Sequence, residues 1–468
     1  MDELFGVQQD ESTLLLRLVD ELVISLVNTR VYSSSHTRVQ WSTMEASRLL
    51  GELLGFDDTA GLRLPVVREC FVHDGHPLVD ASLASSRLIK SIHDHKGGGL
   101  HLDRAATQAD FQMFFEELTR KAGAQESAEA FNQRLQERGC RTVRLLAPME
   151  EDALRRQDAR VEEQLVLHGI PLALPLYQAL VDHLQGLTIQ ATQGRKLGFE
   201  STQGAVDKLL EQLAKDSKSL LGMARYELYD AFTFGHSIRV CLLALNFART
   251  LTDDLDLLNR IGTAALLHDL GKVRVSFETL YSRERLTEEQ RREMERHPVY
   301  GAEILLDNGD TDPLAIAVAF GHHHTVDMRG YPKVLHRARG AVVPRIVKIC
   351  DVFEALTAPR PYKAAMPAVR AYRIMLSMRN HFDPLLLRRF IAVTGFYPTG
   401  TMVALSNGVQ GKVDAQTHDP RRPVVEIRTT EGGEALAPND RRLLDLAHCD
   451  PAIRVLASLG EATIQGAH

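Results

Sequence analysis

Residues 225–395 form the longest block of continuous helical pattern in the chain, and this block constrains the fold more than any other feature. Apolar residues recur there at the spacing of amphipathic helices, and no alternating pattern typical of a strand competes with it. The sequence therefore predicts an all-helical domain of about six to eight helices. The expected helices lie near residues 236–251, 257–269, 287–296, 298–306, 312–322, 342–357 and 367–379.

The segment before this block predicts a small α/β domain. Apolar residues at helical spacing indicate helices over 13–29 and about 37–54. Between strand-like residues, Asp74-Gly75 supplies the two residues that a tight hairpin turn needs. We therefore expect an N-terminal α/β domain over 1–148 and a helical connector over 149–224.

The segment after Phe396 predicts a small β appendage. Asn407-Gly408 separates two strand-like runs, which is a strong hairpin signal, and PVVEIRTT indicates a third strand. A short helix is expected near 438–447, followed by a tail. The whole chain is thus predicted to be mainly α, with the helical domain over 225–395 and a β hairpin subdomain and C-terminal tail over 396–468.

Composition and charge argue against several classes of protein. The net charge of −6 over 468 residues gives no support for broad nucleic-acid binding. The five cysteines are far apart in the sequence, which argues against a disulfide framework or a thiolate zinc site. The acidic N-terminal residues lack a signal-peptide pattern, and no run of about 18 apolar residues occurs. These features predict a cytoplasmic protein without a membrane span.

A set of histidines and aspartates in the helical block predicts a metal site. Each lies at the end of an apolar run or just inside a predicted helix, and imidazole and carboxylate suit first-row metals such as iron, manganese and zinc. Their number exceeds what one tetrahedral zinc takes and suits two metals that share a bridging group. The set comprises His236, the pair His268-Asp269, His297, the run His322-His323-His324, and Asp351.

This ligand pattern favours a metal-dependent phosphohydrolase. Two metals about 3.5–4 Å apart can clamp both the attacking and the leaving oxygen of a phosphoryl displacement. Taken singly, each histidine is more often a helix cap or a satisfied core residue. Asp351, however, lies among apolar residues in a predicted helix, where a carboxylate is costly unless it has a partner. The order and spacing of the whole set favour metal binding.

Several motifs occur in one order along the helical block. They are HSIRV (His236 to Val240), HDLGK (His268 to Lys272), RHP (Arg296 to Pro298), HHHTVDMRGYP (His322 to Pro332) and DVFEALTAPRPYKAA (Asp351 to Ala365). This order resembles the HD-GYP family of HD phosphohydrolases. The resemblance implies a bacterial signalling enzyme that hydrolyses cyclic di-GMP to the linear dinucleotide or onward to GMP, or that acts on cyclic GMP-AMP. It also implies bound divalent metals, most often iron or manganese.

The resemblance further implies roles for individual residues. Asp269 is expected to bridge the metals and orient the attacking water, and Lys272 is expected beside the scissile phosphate; these two are the candidate catalytic residues. Substrate binding is expected from Lys272, Tyr331, Arg360 and Lys363. The expected metal ligands are His236, His268, Asp269, His297, His322, His323 and Asp351.

Two positions depart from the family pattern. His324 stands where the family usually has a glutamate, so a carboxylate that could orient a ligand is missing. Phe232 stands where members with a third metal have a glutamate. The departure at Phe232 implies two divalent ions rather than three.

Three alternatives stay open from the sequence. The domain could be a catalytically weak or inactive cyclic-dinucleotide receptor or scaffold that binds a GGDEF-domain protein through the Tyr331 loop. A different HD hydrolase, such as a nucleotidase or a (p)ppGpp hydrolase, is opposed by the GYP loop and by the run Arg360-Pro361-Tyr362-Lys363. The N-terminal domain could be a sensor, an oligomerisation module that makes a homodimer, or a passive stabilising domain.

Overall fold

A computed structural model of this protein describes most of the chain. The described residues are 11–55, 61–67, 69–78, 81–82, 85–123, 126–149, 174–223, 234–280, 282, 285–334, 341–358, 366–437 and 440–459. The chain divides into two compact units, residues 1–195 with 228–235 and residues 196–227 with 236–468. The four-part division expected from the sequence stays a prediction.

The first unit combines helices with an antiparallel sheet, as the α/β pattern predicts. Its helices are α1 (Glu11–Val31), α2 (Thr37–Leu53), α3 (Ser86–Asp94), α4 (Gln108–Leu118), α5 (Ala128–Glu137) and α6 (Leu174–Thr192). Its strands are β1 (Gly61–Val67), β2 (Cys70–His73), β3 (His76–Pro77), β4 (Gly99–Asp103) and β5 (Val143–Leu146), in the order β3-β2-β1-β4-β5. Asp74 and Gly75 join β2 and β3 with φ angles of 48° and 80°, which confirms the predicted turn.

The second unit is mainly helical, which confirms the predicted all-helical domain. Its helices are α7 (Phe199–Lys215), α8 (Ser217–Met223), α9 (Phe234–Ala248), α10 (Leu255–Leu267), α11 (Phe277–Leu280), α12 (Glu288–Met294), α13 (His297–Asp307), α14 (Pro313–Gly321), α15 (Val342–Thr357), α16 (Ala368–Ser377) and α17 (Pro384–Thr394), with a 3-10 helix at Leu270–Arg274. Side chains of Asp254, Thr287 and Asp312 accept hydrogen bonds from first-turn amides. These caps define where α10, α12 and α14 begin.

The C-terminal part of this unit forms a five-stranded antiparallel sheet, more than the predicted hairpin and tail. The strands are β6 (Met402–Leu405), β7 (Gln410–Ala415), β8 (Val424–Ile427), β9 (Leu443–Asp445) and β10 (Val455–Leu459), in the order β10-β6-β7-β8-β9. The predicted helix near 438–447 is wrong at its described residues, because Leu444 pairs with Val425 in the ladder and Leu446 is buried in the core of the sheet. Pairing with β9 satisfies the backbone hydrogen-bonding groups along the edge of β8.

None of the described helices is a candidate membrane span. No helix in the described ranges combines the length and the apolar character that a bilayer span requires.

Candidate metal centre

The predicted ligands lie mainly at helix ends that meet in the second unit. His236 is in the first turn of α9, and His268 caps the end of α10. His297 is the first residue of α13, and His322 caps the end of α14. Only Asp351 lies in the middle of a helix, α15. Helix ends place these side chains close to loops, so that several elements can converge without steric conflict.

Asp269 is the centre of the cluster. Its Oδ1 lies 3.3 Å from His297 Nε2 and 3.8 Å from His322 Nε2. Its Oδ2 lies 3.5 Å from His236 Nε2 and 3.4 Å from His268 Nε2. Each oxygen of this carboxylate thus faces its own pair of imidazoles. A bridging ligand between two ions requires this arrangement.

Two groups of ligand atoms share this carboxylate. In each group the atoms lie within 4.8 Å of one another, and the groups are Asp269, His297, His322 and His323 on one side and His236, His268 and Asp269 on the other. Asp351 joins the second group, because its Oδ1 is 3.2 Å from His236 Nε2. The structure therefore brings all of the predicted ligands together.

The tautomers of three histidines follow from their backbone contacts. Nδ1 of His268 is 2.7 Å from the Ala265 carbonyl, Nδ1 of His297 is 2.7 Å from the Met294 carbonyl, and Nδ1 of His322 is 3.0 Å from the Val318 carbonyl. A carbonyl oxygen only accepts, so each Nδ1 carries the hydrogen and donates it. Each Nε2 then presents a lone pair to the cluster. A hydrogen bond from the other ring nitrogen orients metal-bound histidines in this way.

These lone pairs face one another and the Asp269 carboxylate. His297 Nε2 and His322 Nε2 are only 3.3 Å apart. His268 Nε2 and Asp269 Oδ1 are buried and have no hydrogen-bond partner. Converging lone pairs around a carboxylate repel unless a cation lies between them. The donor set therefore fits divalent ions held by imidazole and carboxylate.

Burial keeps the imidazoles of His297, His322 and His323 neutral. It lowers the pKa of His297 to about 4 and that of His323 to about 3, and it lowers the pKa of His322 well below its usual value. Burial opposes ionisation of Asp269, but Lys272 and His268 outweigh it and hold the pKa of this carboxyl well below its usual range. Neutral imidazole and ionised carboxylate are the forms that bind metal.

Glu354 and Arg239 belong to the site, although neither was predicted from the sequence. Glu354 accepts hydrogen bonds from His236 Nδ1 at 2.5 Å and from Arg239 Nε at 2.5 Å. Burial opposes the charge of Glu354, but Arg239 and His236 lower its pKa to about 2. Glu354 follows Asp351 by three residues in α15, as Arg239 follows His236 in α9. This shared-face spacing is the signal that could have identified both.

We expect Glu354→Gln to weaken metal binding by about 10- to 100-fold, because the neutral amide no longer increases the basicity of His236. Metal retained after dialysis against a graded chelator series measures the effect. Glu303→Gln is the matched control, since Glu303 is a half-exposed carboxylate whose ion-pair partner is Arg274. Equal metal retention in both variants would contradict the orienting role.

Known proteins resemble parts of this chain. The HD domain family matches residues 208–386. The cyclic di-GMP phosphodiesterase PA4108 of Pseudomonas aeruginosa is 31% identical over 266 residues, which cover 57% of this chain and 64% of that protein. The 3′3′-cGAMP-specific phosphodiesterase 3 of Vibrio cholerae is 38% identical over 155 residues, 33% of each chain. The response regulator RpfG of Xanthomonas campestris, a cyclic di-GMP phosphodiesterase, is 36% identical over 126 residues, 26% of this chain and 33% of that one.

Residues 208–386 match the HD domain family, and the motifs that resemble the HD-GYP family lie within this range. This chain spans less than two thirds of the length of these relatives. The GYP motif, Gly330 to Pro332, lies directly against the ligand cluster. The Tyr331 ring stacks on the His323 ring with centroids 4.4 Å apart. A Cβ on Gly330 would lie 2.0 Å from the His323 carbonyl oxygen, so only glycine allows this approach.

The structure accounts for His324, the residue that departs from the HD-GYP pattern. His324 Nε2 lies 2.7 Å from the Pro332 carbonyl and donates to it, and its ring packs edge-on against Phe320. Nearby, the Thr325 hydroxyl accepts from the Arg329 and Gly330 amides. His324 therefore contributes to the position of the GYP loop, which packs on the ligand His323.

The remaining predicted site residues have different outcomes. Lys272 Nζ lies 2.5 Å from Asp269 Oδ2, so it is at the cluster as predicted from HDLGK. Arg360 and Lys363, expected to bind substrate, lie outside the described residues, as does Phe232, which bears on the third metal. Their roles stay predictions.

Proposed function

We infer that this protein is a metal-dependent phosphodiesterase that hydrolyses cyclic di-GMP in bacterial signalling. The observation that carries this proposal is the convergence of imidazole Nε2 lone pairs on both oxygens of Asp269. Such a bridged cluster suits phosphoryl displacement. The names of PA4108 and RpfG support cyclic di-GMP as the substrate, and the Vibrio relative adds cyclic GMP-AMP as a second candidate.

Two divalent ions, iron or manganese, are proposed to bind, one in each of the two ligand groups that share Asp269. When bound, they would polarise the phosphoryl group and lower the pKa of water near it. His297, His322 and His323 would hold one ion, and His236, His268 and Asp351 the other. None of these donors is a thiolate, so the set favours a harder metal than the metals that cysteine binds.

The protein's own residues would position the reacting groups. Asp269, kept ionised by Lys272, would accept a hydrogen bond from the attacking water and orient it toward phosphorus. Lys272 Nζ would donate to a non-bridging phosphate oxygen as charge develops there. Tyr331, stacked on His323, would form a wall of the substrate site.

The direct test is a product assay with protein that was purified anaerobically and analysed for metal content. Incubation with cyclic di-GMP should yield the linear dinucleotide or GMP, and a parallel incubation with cyclic GMP-AMP gives the preference. Chelator treatment should stop the reaction, and added iron or manganese should restore it. Tight binding of cyclic di-GMP without any hydrolysis by metal-loaded protein would contradict the proposal.

Lys272→Met should lower kcat by about 10²- to 10³-fold, because a charge-stabilising donor is removed from the phosphoryl site. Metal content should be retained, since Lys272 is not a ligand. The variant Lys196→Met serves as control, because Lys196 is an exposed lysine paired with Asp310. If kcat is unchanged, Lys272 does not act on the phosphate. If metal is lost, Lys272 instead serves to hold Asp269.

The cellular setting is also proposed. A protein that destroys a bacterial second messenger would act in the cytoplasm, where such messengers are signals. A GGDEF-domain partner and a homodimer stay predictions, which size measurement with and without a GGDEF protein would test.

A further inference from the structure

A basic pocket lies next to the ligand cluster. Its volume is about 440 Å³, and its lining includes Arg292, Glu295, Arg296, Arg329, Tyr331 and Lys333. Tyr331 connects the two features, because the same ring lines the pocket and stacks on the ligand His323. Arg296 directly precedes the ligand His297. The pocket therefore adjoins the candidate metal centre, with the Tyr331 ring between them.

The side chains that line this pocket are mostly positively charged. Four cationic side chains, those of Arg292, Arg296, Arg329 and Lys333, face a single carboxylate, that of Glu295. Arg329 also has an ion-pair contact with Asp327 at 3.4 Å, but its side chain remains 72% exposed. The whole chain carries a net charge of −6, so this accumulation of positive charge is local. A concave surface of one sign concentrates ligands of the opposite sign.

The chemistry of a cyclic dinucleotide supplies a matching anion. Its ring contains two phosphodiesters separated by nucleosides, and only one of them can be at the reacting centre. The second phosphodiester keeps its negative charge throughout the reaction. Guanidinium groups bind phosphate oxygens through paired hydrogen bonds, which makes arginine the preferred partner for such a group.

We propose that this pocket binds the second, uncleaved phosphodiester of the cyclic dinucleotide, with Arg292 and Arg329 as its principal contacts. This proposal rests on the proposed function and specifies how that site distinguishes a cyclic dinucleotide from a simple phosphodiester. Arg292 and Arg329 come from different elements, α12 and the segment before Gly330. A bound ring would therefore be held by residues of two separate elements.

The test compares two substrates in the full-length, metal-loaded protein. Cyclic di-GMP has the second phosphodiester, and bis(4-nitrophenyl) phosphate has only the reacting one. Arg292→Gln and Arg329→Gln should each lower kcat/KM for cyclic di-GMP by about fivefold, and the double variant by about twentyfold, chiefly through KM. The loss for bis(4-nitrophenyl) phosphate should be much smaller, so the ratio of the two activities falls.

Arg291→Gln is the matched control. Arg291 is an exposed arginine on the same helix as Arg292, and it does not line the pocket. It should leave the activity ratio at the wild-type value. Raised ionic strength should weaken cyclic di-GMP turnover more in the wild type than in the double variant, because salt screens exposed charges.

The outcomes separate this proposal from the proposed function. If the wild type cleaves both substrates and the double variant loses both equally, the subsite is overturned while the hydrolase stands. If Arg291→Gln changes the ratio as much as Arg292→Gln, nonspecific charge explains the effect and the subsite is overturned. If the metal-loaded wild type cleaves bis(4-nitrophenyl) phosphate but no cyclic dinucleotide, both proposals about the natural substrate fail.

Discussion

Replacing Asp269 with alanine is expected to remove both metal binding and hydrolysis. This carboxylate faces imidazoles with both oxygens and also contacts Lys272 Nζ, and among the described residues it is the one shared by the two ligand groups. Loss of one charge-stabilising group commonly costs about 10²- to 10³-fold in kcat, and loss of the metals adds to this. We therefore expect a decrease of about a thousandfold or more, measured by product formation together with elemental analysis.

The control for this experiment is Asp310→Ala. Asp310 is a surface carboxylate in the same unit whose ion-pair partner is Lys196. This variant should keep wild-type metal content and rate. Full activity in Asp269→Ala would refute the bridging assignment and with it the metal centre. Retained metal with lost activity would instead restrict Asp269 to orienting the attacking water.

Gly271→Ala is expected to destabilise the helical unit and displace a metal ligand. A Cβ at this position would lie 1.9 Å from the His297 carbonyl oxygen and 2.3 Å from the Gly301 amide nitrogen. Both are backbone atoms, so the 3-10 helix and α13 would have to separate. Overpacking of this kind costs about 3 kcal/mol. Because α13 begins at His297, the same shift moves this ligand away from Asp269 and should reduce metal retention.

Calorimetric unfolding of chelator-treated protein measures this stability change without the contribution of bound metal. Gly204→Ala is the matched control, since Gly204 lies in α7 and a Cβ there would meet no atom within 4 Å. Alanine should stabilise that helix slightly, because glycine is the poorer helix former by about 1 kcal/mol. If Gly271→Ala unfolds like Gly204→Ala, the close approach of the two backbones is not maintained in solution.

Local patterns account for the parts of the fold that the sequence predicted. The helices of residues 225–395 follow from apolar periodicity, and caps such as Asp254 and Thr287 define their starts. The helix α17 was not predicted, although Asp383 caps it and Pro384 follows. The predicted helix near 438–447 was wrong because Leu444 pairs with Val425, which lies in a separate strand, β8.

The same contrast applies to the site. HDLGK and the histidines at helix ends identified the ligand types, because imidazole and carboxylate chemistry is a property of single residues. Glu354 was missed because its role depends on His236, which is 118 residues away. From the sequence, His324 showed only that a carboxylate is missing from the motif, whereas in the structure it contacts the Pro332 carbonyl.

The sequence by itself determined the helical class of the domain, its caps and the inventory of possible ligands, since periodicity, capping and side-chain chemistry act over a few residues. Only the tertiary structure decided which oxygen of Asp269 faces which imidazole, which ring nitrogen carries the hydrogen, and that Tyr331 separates the cluster from a basic pocket. These features depend on distances between side chains that are far apart along the chain, and such distances arise only when the helices pack against one another.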